Sequence, residues 1–561
     1  MLVCLIFKDL LLERAVGMSE VCVELVGKLV GEMLGLSKEE LSPSDNLISL
    51  GLGSLDIMRI AGLLTKNGCN VTFSELVSNP CMASWVNFAR ERSARSSSNG
   101  SPLLGSANYS KGDPFPITSV QHAYMVGRRD GQELGGTACH AYMEFECGSL
   151  DAAKLERAVE LLILRHPMLR ARFSDDGTAR IEDKVTWKGL TTYRVEGAGN
   201  PDSRIEGIRQ ELSHLRFDIE QDDLIDVRLT VVSPKRTIMH INVDLLAADV
   251  LSIQVLLEDL AHLYDGTDLA PIEIDFMEYA RRTGIGEDAR NEDREYWLNR
   301  IDNMPGGPSL PLKAPMESVK RSQFTRMEYL IDSKSWKNFT EKGRQIGVTQ
   351  SMGIAAVYAK ALSRWSEDKK FLLNLPLFNR KPIHPDVDKI VSDFTSLILL
   401  EADCANAISL LELASQMQGR FQQDVAHSSF GAVEVLRELS HRCPNDPKKA
   451  PVVFASNIGT QFISNKVEDV FGPLSKMLAE TPQVLLDHQI YDHKNGLLLA
   501  WDYVSELLDD KIAKQMFEAY CTAVRFYCEN DWSEPFPDLL PPSQRAARAE
   551  ANSEGADLGG G

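Results

Sequence analysis

Residues 241–252, INVDLLAADVLS, switch from one hydrophobic period to another. In the segment TIMHINVD that ends at Asp244, alternation places His240, Asn242 and Asp244 on one side of a strand and Met239, Ile241 and Val243 on the other. From Val250 the run VLSIQVLLEDL repeats apolar residues at helical spacing. Asp249 stands just before it, at the N-cap position, where a carboxylate accepts hydrogen bonds from backbone N–H groups two or three residues on. A strand that feeds a helix through so short a turn is an α/β unit. The turn carries two carboxylates five residues apart, with no histidine, lysine or cysteine between them. Both Asp244 and Asp249 are candidate catalytic residues, though the capping position makes Asp249 more a structural residue than a reactive one. Arg380, in LFNR, is a salt-bridge partner for one of the pair, bracing the floor where two lobes meet.

The same mixture extends from Phe115 to about Pro537. Helical patterns such as LDAAKLERAVELLILRH alternate with short apolar strands such as AYMEFE, LIDVRLTVV, FLLNLPLF and GLLLAWDYV. The span is about twice a typical domain, which predicts two lobes, 115–280 and 281–538. Ahead of it, residues 19–91 read as a small helical domain: Ser19 is placed as an N-cap, and Val21, Leu25, Leu29 and Leu36 recur along one helix face. Residues 1–18 form an N-terminal extension, and 92–114 are a polar Ser/Gly/Asn-rich tether. Residues 539–561, polar and Ala/Gly-rich, read as a linker to a further domain.

The 561 residues carry 60 basic and 80 acidic side chains, a net charge of −20 with no basic run, which argues against nucleic acid or an anionic membrane as partner. Ten scattered cysteines form no C-x-x-C pair and are expected as reduced thiols in a cytoplasmic protein. The opening MLVCLIFKDLL lacks the features of a signal peptide, and no stretch approaches the about 20 apolar residues of a membrane span.

The loop-to-helix stretch DNLISLGLGSLDIMRI, 45–60, resembles the phosphopantetheine attachment motif of carrier proteins. The resemblance implies a four-helix bundle whose Ser54 bears a covalent 4'-phosphopantetheine, its phosphate set against the positive end of a helix dipole. Gly53 departs from the Asp or His usual before the serine. The sequel VTFSELVSNPCMASWVNFA is most similar to aryl carrier domains of siderophore-type assembly lines.

From FPITSVQHAYMVGR (115–128) through LNLPLFNRKPIHPDV (373–387), VSDFTSLILLE (391–401), PVVFASNIG (451–459) and TPQVLLDHQIYDHKNGLLLAWDYV (481–504), the ordered segments resemble heterocyclization domains of nonribosomal peptide synthetases. The implied architecture is an α/β multidomain chain in which the carrier precedes a two-lobed, chloramphenicol-acetyltransferase-like condensation-type domain. Relative to the H-H-x-x-x-D of ordinary condensation domains, Asp244 and Leu245 replace the two histidines, and Asp244 and Asp249 form the D-x-x-x-x-D of the heterocyclization type. The resemblance assigns cyclodehydration to Asp487, assisted by a threonine of PVVFTS. Here Ala455 takes the threonine's place, leaving Ser456 or Gln489 to supply the hydrogen bond. His488 and His493, with Asp492, match no standard ligand spacing, and no metal is expected.

The implied reaction joins an acyl group, perhaps aryl, to Cys, Ser or Thr on a downstream carrier and closes it to a thiazoline or oxazoline. Implied partners are a phosphopantetheinyl transferase, an aryl-acid or amino-acid adenylating enzyme that loads Ser54, and downstream adenylation and carrier domains. Two alternatives stand beside this: a domain that condenses without ring closure because of Ala455, and a non-catalytic scaffold that presents the carrier.

Overall fold

A computed structural model of the chain describes residues 23–37, 40–66, 69, 71, 73–95, 112–195, 200–283, 287–378, 380–381, 383–443, 448–540 and 545. The expected extension 1–18, the Ser19 cap, most of the tether and most of the C-terminal linker lie outside the described residues.

The first unit is a four-helix domain: 23–34, Ser54–Lys66, Phe73–Ser78 and Met82–Arg95. The last helix carries the carrier boundary past the expected residue 91. Val26, Val30, Leu47, Ile57, Ile60, Leu64, Leu76 and Trp85 fill its interior. The Trp85 indole meets its own need for a partner by donating to the Leu76 carbonyl at 2.9 Å.

Two large sheets follow. The N-terminal lobe has five strands in the order Leu474–Glu480, His140–Cys147, Arg236–Asp244, Ile225–Ser233, Thr191–Arg194, with helices Ala152–Arg165 and Val250–Tyr264 packed together on it. Met239, Ile241 and Val243 point into that core, as the alternation requires. The C-terminal lobe has six strands in the order Thr395–Asp403, Lys370–Phe378, Val452–Gln461, Leu486–His493, Gly496–Val504, Phe324–Asp332, backed by helices Gln350–Trp365, Leu410–Val425 and Asp510–Glu529.

One boundary differs from expectation. Strand Leu474–Glu480, far along the second half of the chain, crosses back to pair with His140–Cys147, and Val467, Phe471 and Met477 pack into the N-terminal core. The lobes are therefore not the consecutive blocks 115–280 and 281–538. Without this strand, His140–Cys147 would be an open edge with unpaired backbone groups.

The described cysteines are not a uniformly reduced set. Cys69 is disulfide-bonded, whereas Cys81, Cys139, Cys147, Cys404, Cys443, Cys521 and Cys528 are free. Among the described residues, no helix is long and apolar enough to cross a membrane.

Candidate active site

A cavity of about 540 Å3 lies between the lobes. The turn that opened the sequence forms part of its floor, but its carboxylates are committed to structure. Asp244 is fully buried, pairs with the Arg128 guanidinium at 2.6 Å, accepts the Leu246 N–H at 3.0 Å, and does not line the cavity. The catalytic role considered for it is thus not available: each oxygen already has a partner within its own lobe.

Asp249 is the N-cap of helix Val250–Tyr264, accepting the Ser252 N–H at 2.7 Å, and it pairs with Arg380 at 2.9 Å as expected. Its second oxygen accepts the Phe394 N–H at 3.4 Å. Through these bonds it clamps the loop before strand Thr395–Asp403 against the N-terminal lobe, which makes it a brace rather than a reactive group.

The reactive wall is one face of the six-stranded sheet. Asn374, Val453, Asp487, Asp502 and Arg326 stand side by side in register across five strands, so their side chains share a face. The next row carries Ala455 opposite Gln489, and the one after it Asn457 opposite Tyr491. Residues of all three rows line the cavity.

Asp487 is buried here, not set on a solvated loop. Its Oδ2 accepts from the Gln489 amide at 2.6 Å, while its Oδ1 is buried and has no hydrogen-bond partner. Gln489 is itself oriented: its carbonyl accepts from the Arg326 guanidinium at 3.0 Å and from the Tyr491 hydroxyl, which leaves its NH2 facing Asp487. Arg326 is paired in turn with Asp502. Burial, together with the neighbouring Asp502 carboxylate, pushes the Asp487 carboxyl up to about 7, against the pull of Gln489 and Arg326. An acid poised near neutrality with one unengaged oxygen can donate or accept a proton.

Ser456 does not complete this group. It is in register with Ile490, on the opposite face of its strand from Ala455, and its hydroxyl bonds the Ser351 hydroxyl at 2.8 Å. Strand alternation alone removes it from Asp487. His488 also faces away, with its ring nitrogens at 3.0 Å from the Ala500 carbonyl and 2.7 Å from the Tyr520 hydroxyl, rather than solvated. Among the described residues no group of three or more His, Cys, Asp or Glu converges as a metal site. Arg326 and Tyr491 escaped the sequence reading. Alternation along Leu486–His493 places Asp487, Gln489 and Tyr491 on one face, but nothing local links Arg326 to them.

On the far side of the sheet, the first unit sits against the second lobe. Arg344 donates to the Leu50 carbonyl at 3.4 Å, and helix Phe73–Ser78 packs on helix Leu410–Val425. A narrow cleft of about 60 Å3 runs between Gly53 and Asp56, at the start of helix Ser54–Lys66, and Ser351, Leu375, Ser456 and Gly459. It shares Pro376 and Phe378 with the large cavity. Strands Lys370–Phe378 and Val452–Gln461 have a single ladder pair, Val453 with Asn374.

A helical carrier-type domain docked beside a two-lobed α/β domain with a buried acid between its lobes defines a carrier-plus-condensation-type architecture. The chain belongs to the condensation domain family, matched over residues 115–530, and residues 24–89 match the phosphopantetheine attachment site. The first unit is accordingly a carrier domain that holds 4'-phosphopantetheine covalently on a serine.

Among curated relatives, phenyloxazoline synthase MbtB of Mycobacterium sp. (strain MCS) is 35% identical over 534 residues, covering 94% of this chain and 45% of that protein. Pyochelin synthetase PchE of Pseudomonas aeruginosa (strain UCBPP-PA14) is 34% identical over 541 residues, covering 95% and 37%. The chain thus spans less than half the length of these relatives. Among solved structures, the EpoB cyclization-docking bidomain from Sorangium cellulosum superposes with a TM-score of 0.68 at 30% identity, covering 75% of this chain and 87% of that one.

Proposed function

We propose that the chain is the carrier and heterocyclization portion of a nonribosomal peptide synthetase. In this reading it condenses an acyl group held on Ser54 with Cys, Ser or Thr on a downstream carrier and closes the product to a thiazoline or oxazoline. The observation that carries it is the unpartnered Asp487 Oδ1, on the wall of a cavity that shares Pro376 and Phe378 with the cleft at the start of helix Ser54–Lys66. The similarity to MbtB, a phenyloxazoline synthase, and to PchE, a pyochelin synthetase, supports an aryl donor of the siderophore type. Partners on this reading are a phosphopantetheinyl transferase, the adenylating enzyme that loads Ser54, and downstream adenylation and carrier domains.

The arm supplies a thiol on which the acyl donor is held as a thioester. The chain does the rest. After amide formation the acceptor's side-chain sulfur or oxygen attacks the amide carbon, giving a ring that bears a hydroxyl. Hydroxide is a poor leaving group, so Asp487 in its protonated form gives its proton to that hydroxyl as the C–O bond breaks and water departs. The ring nitrogen's proton passes to the Asp487 carboxylate just formed, which restores the acid as the C=N bond forms. Gln489, held by Arg326 and Tyr491, keeps Asp487 directed at the cavity.

The test loads Ser54 with candidate aryl groups, supplies carriers charged with Cys, Ser or Thr, and weighs the products: the closed ring is one water lighter than the open amide. Open amide alone would favour the condensation-only alternative, and no amide at all the scaffold. Ala455 faces the cavity opposite Gln489, so Ala455→Thr is expected to raise the share of ring-closed product. Ser456→Ala, altered on the other face, should leave that share unchanged. Arg344→Glu removes the charged donor to the Leu50 carbonyl. It is expected to slow transfer from the Ser54 arm by about tenfold, the equivalent of one charge-assisted hydrogen bond, while leaving reaction of a diffusible acyl thioester unaffected.

A further inference from the structure

A second buried carboxyl faces the same cavity. Asp393 is 1% exposed; its Oδ1 accepts the Thr395 N–H at 3.0 Å, and its Oδ2 is buried with no hydrogen-bond partner. A buried carboxylate oxygen without a partner is destabilising and free to take a proton. The loop is held rigidly in spite of that cost. Ser252 Oγ donates to the Ser392 carbonyl at 2.7 Å and accepts the Ser392 N–H at 3.1 Å, the Asp249 N–H donates to the same carbonyl at 3.1 Å, and the Arg380 guanidinium lies 4.2 Å from the centre of the Phe394 ring. The neighbouring turn offers no competing base: it contributes Leu245, Ala248 and Asp249 to the cavity, and both Asp249 oxygens are already bonded.

We propose that Asp393 is the base of the amide-forming step, its free Oδ2 taking a proton from the acceptor's attacking α-amine where the lobes meet. This rests on the reading of the chain as a condensing and cyclizing enzyme. The amine nitrogen bonds to the acyl carbon, the C–S bond of the donor breaks, and one N–H proton passes to Asp393. Asp393 then returns it to the departing sulfur, so the step ends with an amide, a free thiol and the carboxylate restored.

Both acids are raised to about 7 by burial and a neighbouring carboxylate. Asp393 is raised to about 7, first by burial and also by Asp249, while the Thr395 donors and the Arg380 cation favour its charged form. Asp487 has a second carboxylate, Asp502, as its strongest charged neighbour, which favours the protonated form. The Tyr124 phenol lies within the field of Asp393, Asp487 and Asp249.

The test uses the carrier-bearing chain with salicyl-loaded Ser54 and the N-acetylcysteamine thioester of cysteine as acceptor. Asp393→Asn, which keeps an acceptor for the Thr395 N–H, should lower amide formation on the order of 100-fold, whereas Asp487→Asn retains the amide. The wild-type to Asp393→Asn rate ratio should climb with pH through about 7 and then level off, as the carboxylate form fills. Asp393→Glu, which preserves the charge, should recover part of the rate. Independently of loading, infrared titration of the unloaded protein should show a buried carboxyl titrating near pH 7 that Asp393→Asn removes. An unchanged amide rate, a rate ratio constant across pH, or loss of ring closure alone overturns the proposal. No amide from the wild type with any acceptor overturns the condensing-enzyme reading and this proposal with it.

Discussion

Asp487→Asn is expected to lower ring closure by on the order of 100- to 10,000-fold while open-chain amide continues to form. The carboxamide can still accept from Gln489, so the wall stays intact, but it has no acid proton to give the leaving hydroxyl. Mass analysis of the carrier-bound product reads the result directly: an accumulating species one water heavier than the ring. Continued ring closure at the wild-type rate would remove Asp487 from the mechanism. In the wild type, ring closure should weaken as pH rises through about 7, where the protonated form is lost.

The same substitution has a stability signature. The Asp487 pKa is raised on folding, from an ordinary aspartate value of about 3.9 to about 7, so between these values the folded state binds more protons than the unfolded. The wild type therefore loses stability as pH climbs across that window, and the full cost of burying the carboxylate is present above it. Asparagine carries no such dependence. Denaturant unfolding should show Asp487→Asn gaining on the wild type between about pH 5 and about pH 8, which separates a chemical defect from a folding one.

Arg326→Met should be the most destabilising single change at the site, by about 3–5 kcal/mol, because it strands Asp502 as an uncompensated charge in the interior. Asp502 is completely buried, and its other contact is a 3.4 Å bond from the Ala479 N–H. Gln489 also loses its anchor, so ring closure should fall at temperatures where the variant remains folded. The double variant Arg326→Met/Asp502→Leu should recover most of the stability, since two apolar groups replace the pair, but not the orientation of Gln489. If chemical denaturation finds the single and double variants equally unstable, the pair does not carry the load assigned to it.

Much of this was legible along the chain. The change of period at Asp244–Asp249 marked the strand, the turn and the capped helix, and the alternation in TIMHINVD named the face that enters the core. Arg380 was legible as a partner for one of the two aspartates, and the tertiary structure pairs it with Asp249. The expectation for Ser456 erred because it counted neighbours in sequence: in a strand, adjacent residues point to opposite faces, and Ala455 and Ser456 meet different spaces.

The sequence by itself determined the order of domains, the α/β class, the strand faces and the cap, because these follow from backbone periods of about two and about 3.6 residues, which act locally. Only the tertiary structure decided that Arg326 stands in register with Asp502 and Asp487, that strand Leu474–Glu480 joins the other lobe, and that Asp393 faces the cavity. Those outcomes depend on which surfaces bury one another across 100 residues or more, and strand register is set by that burial and not by any neighbour in the chain.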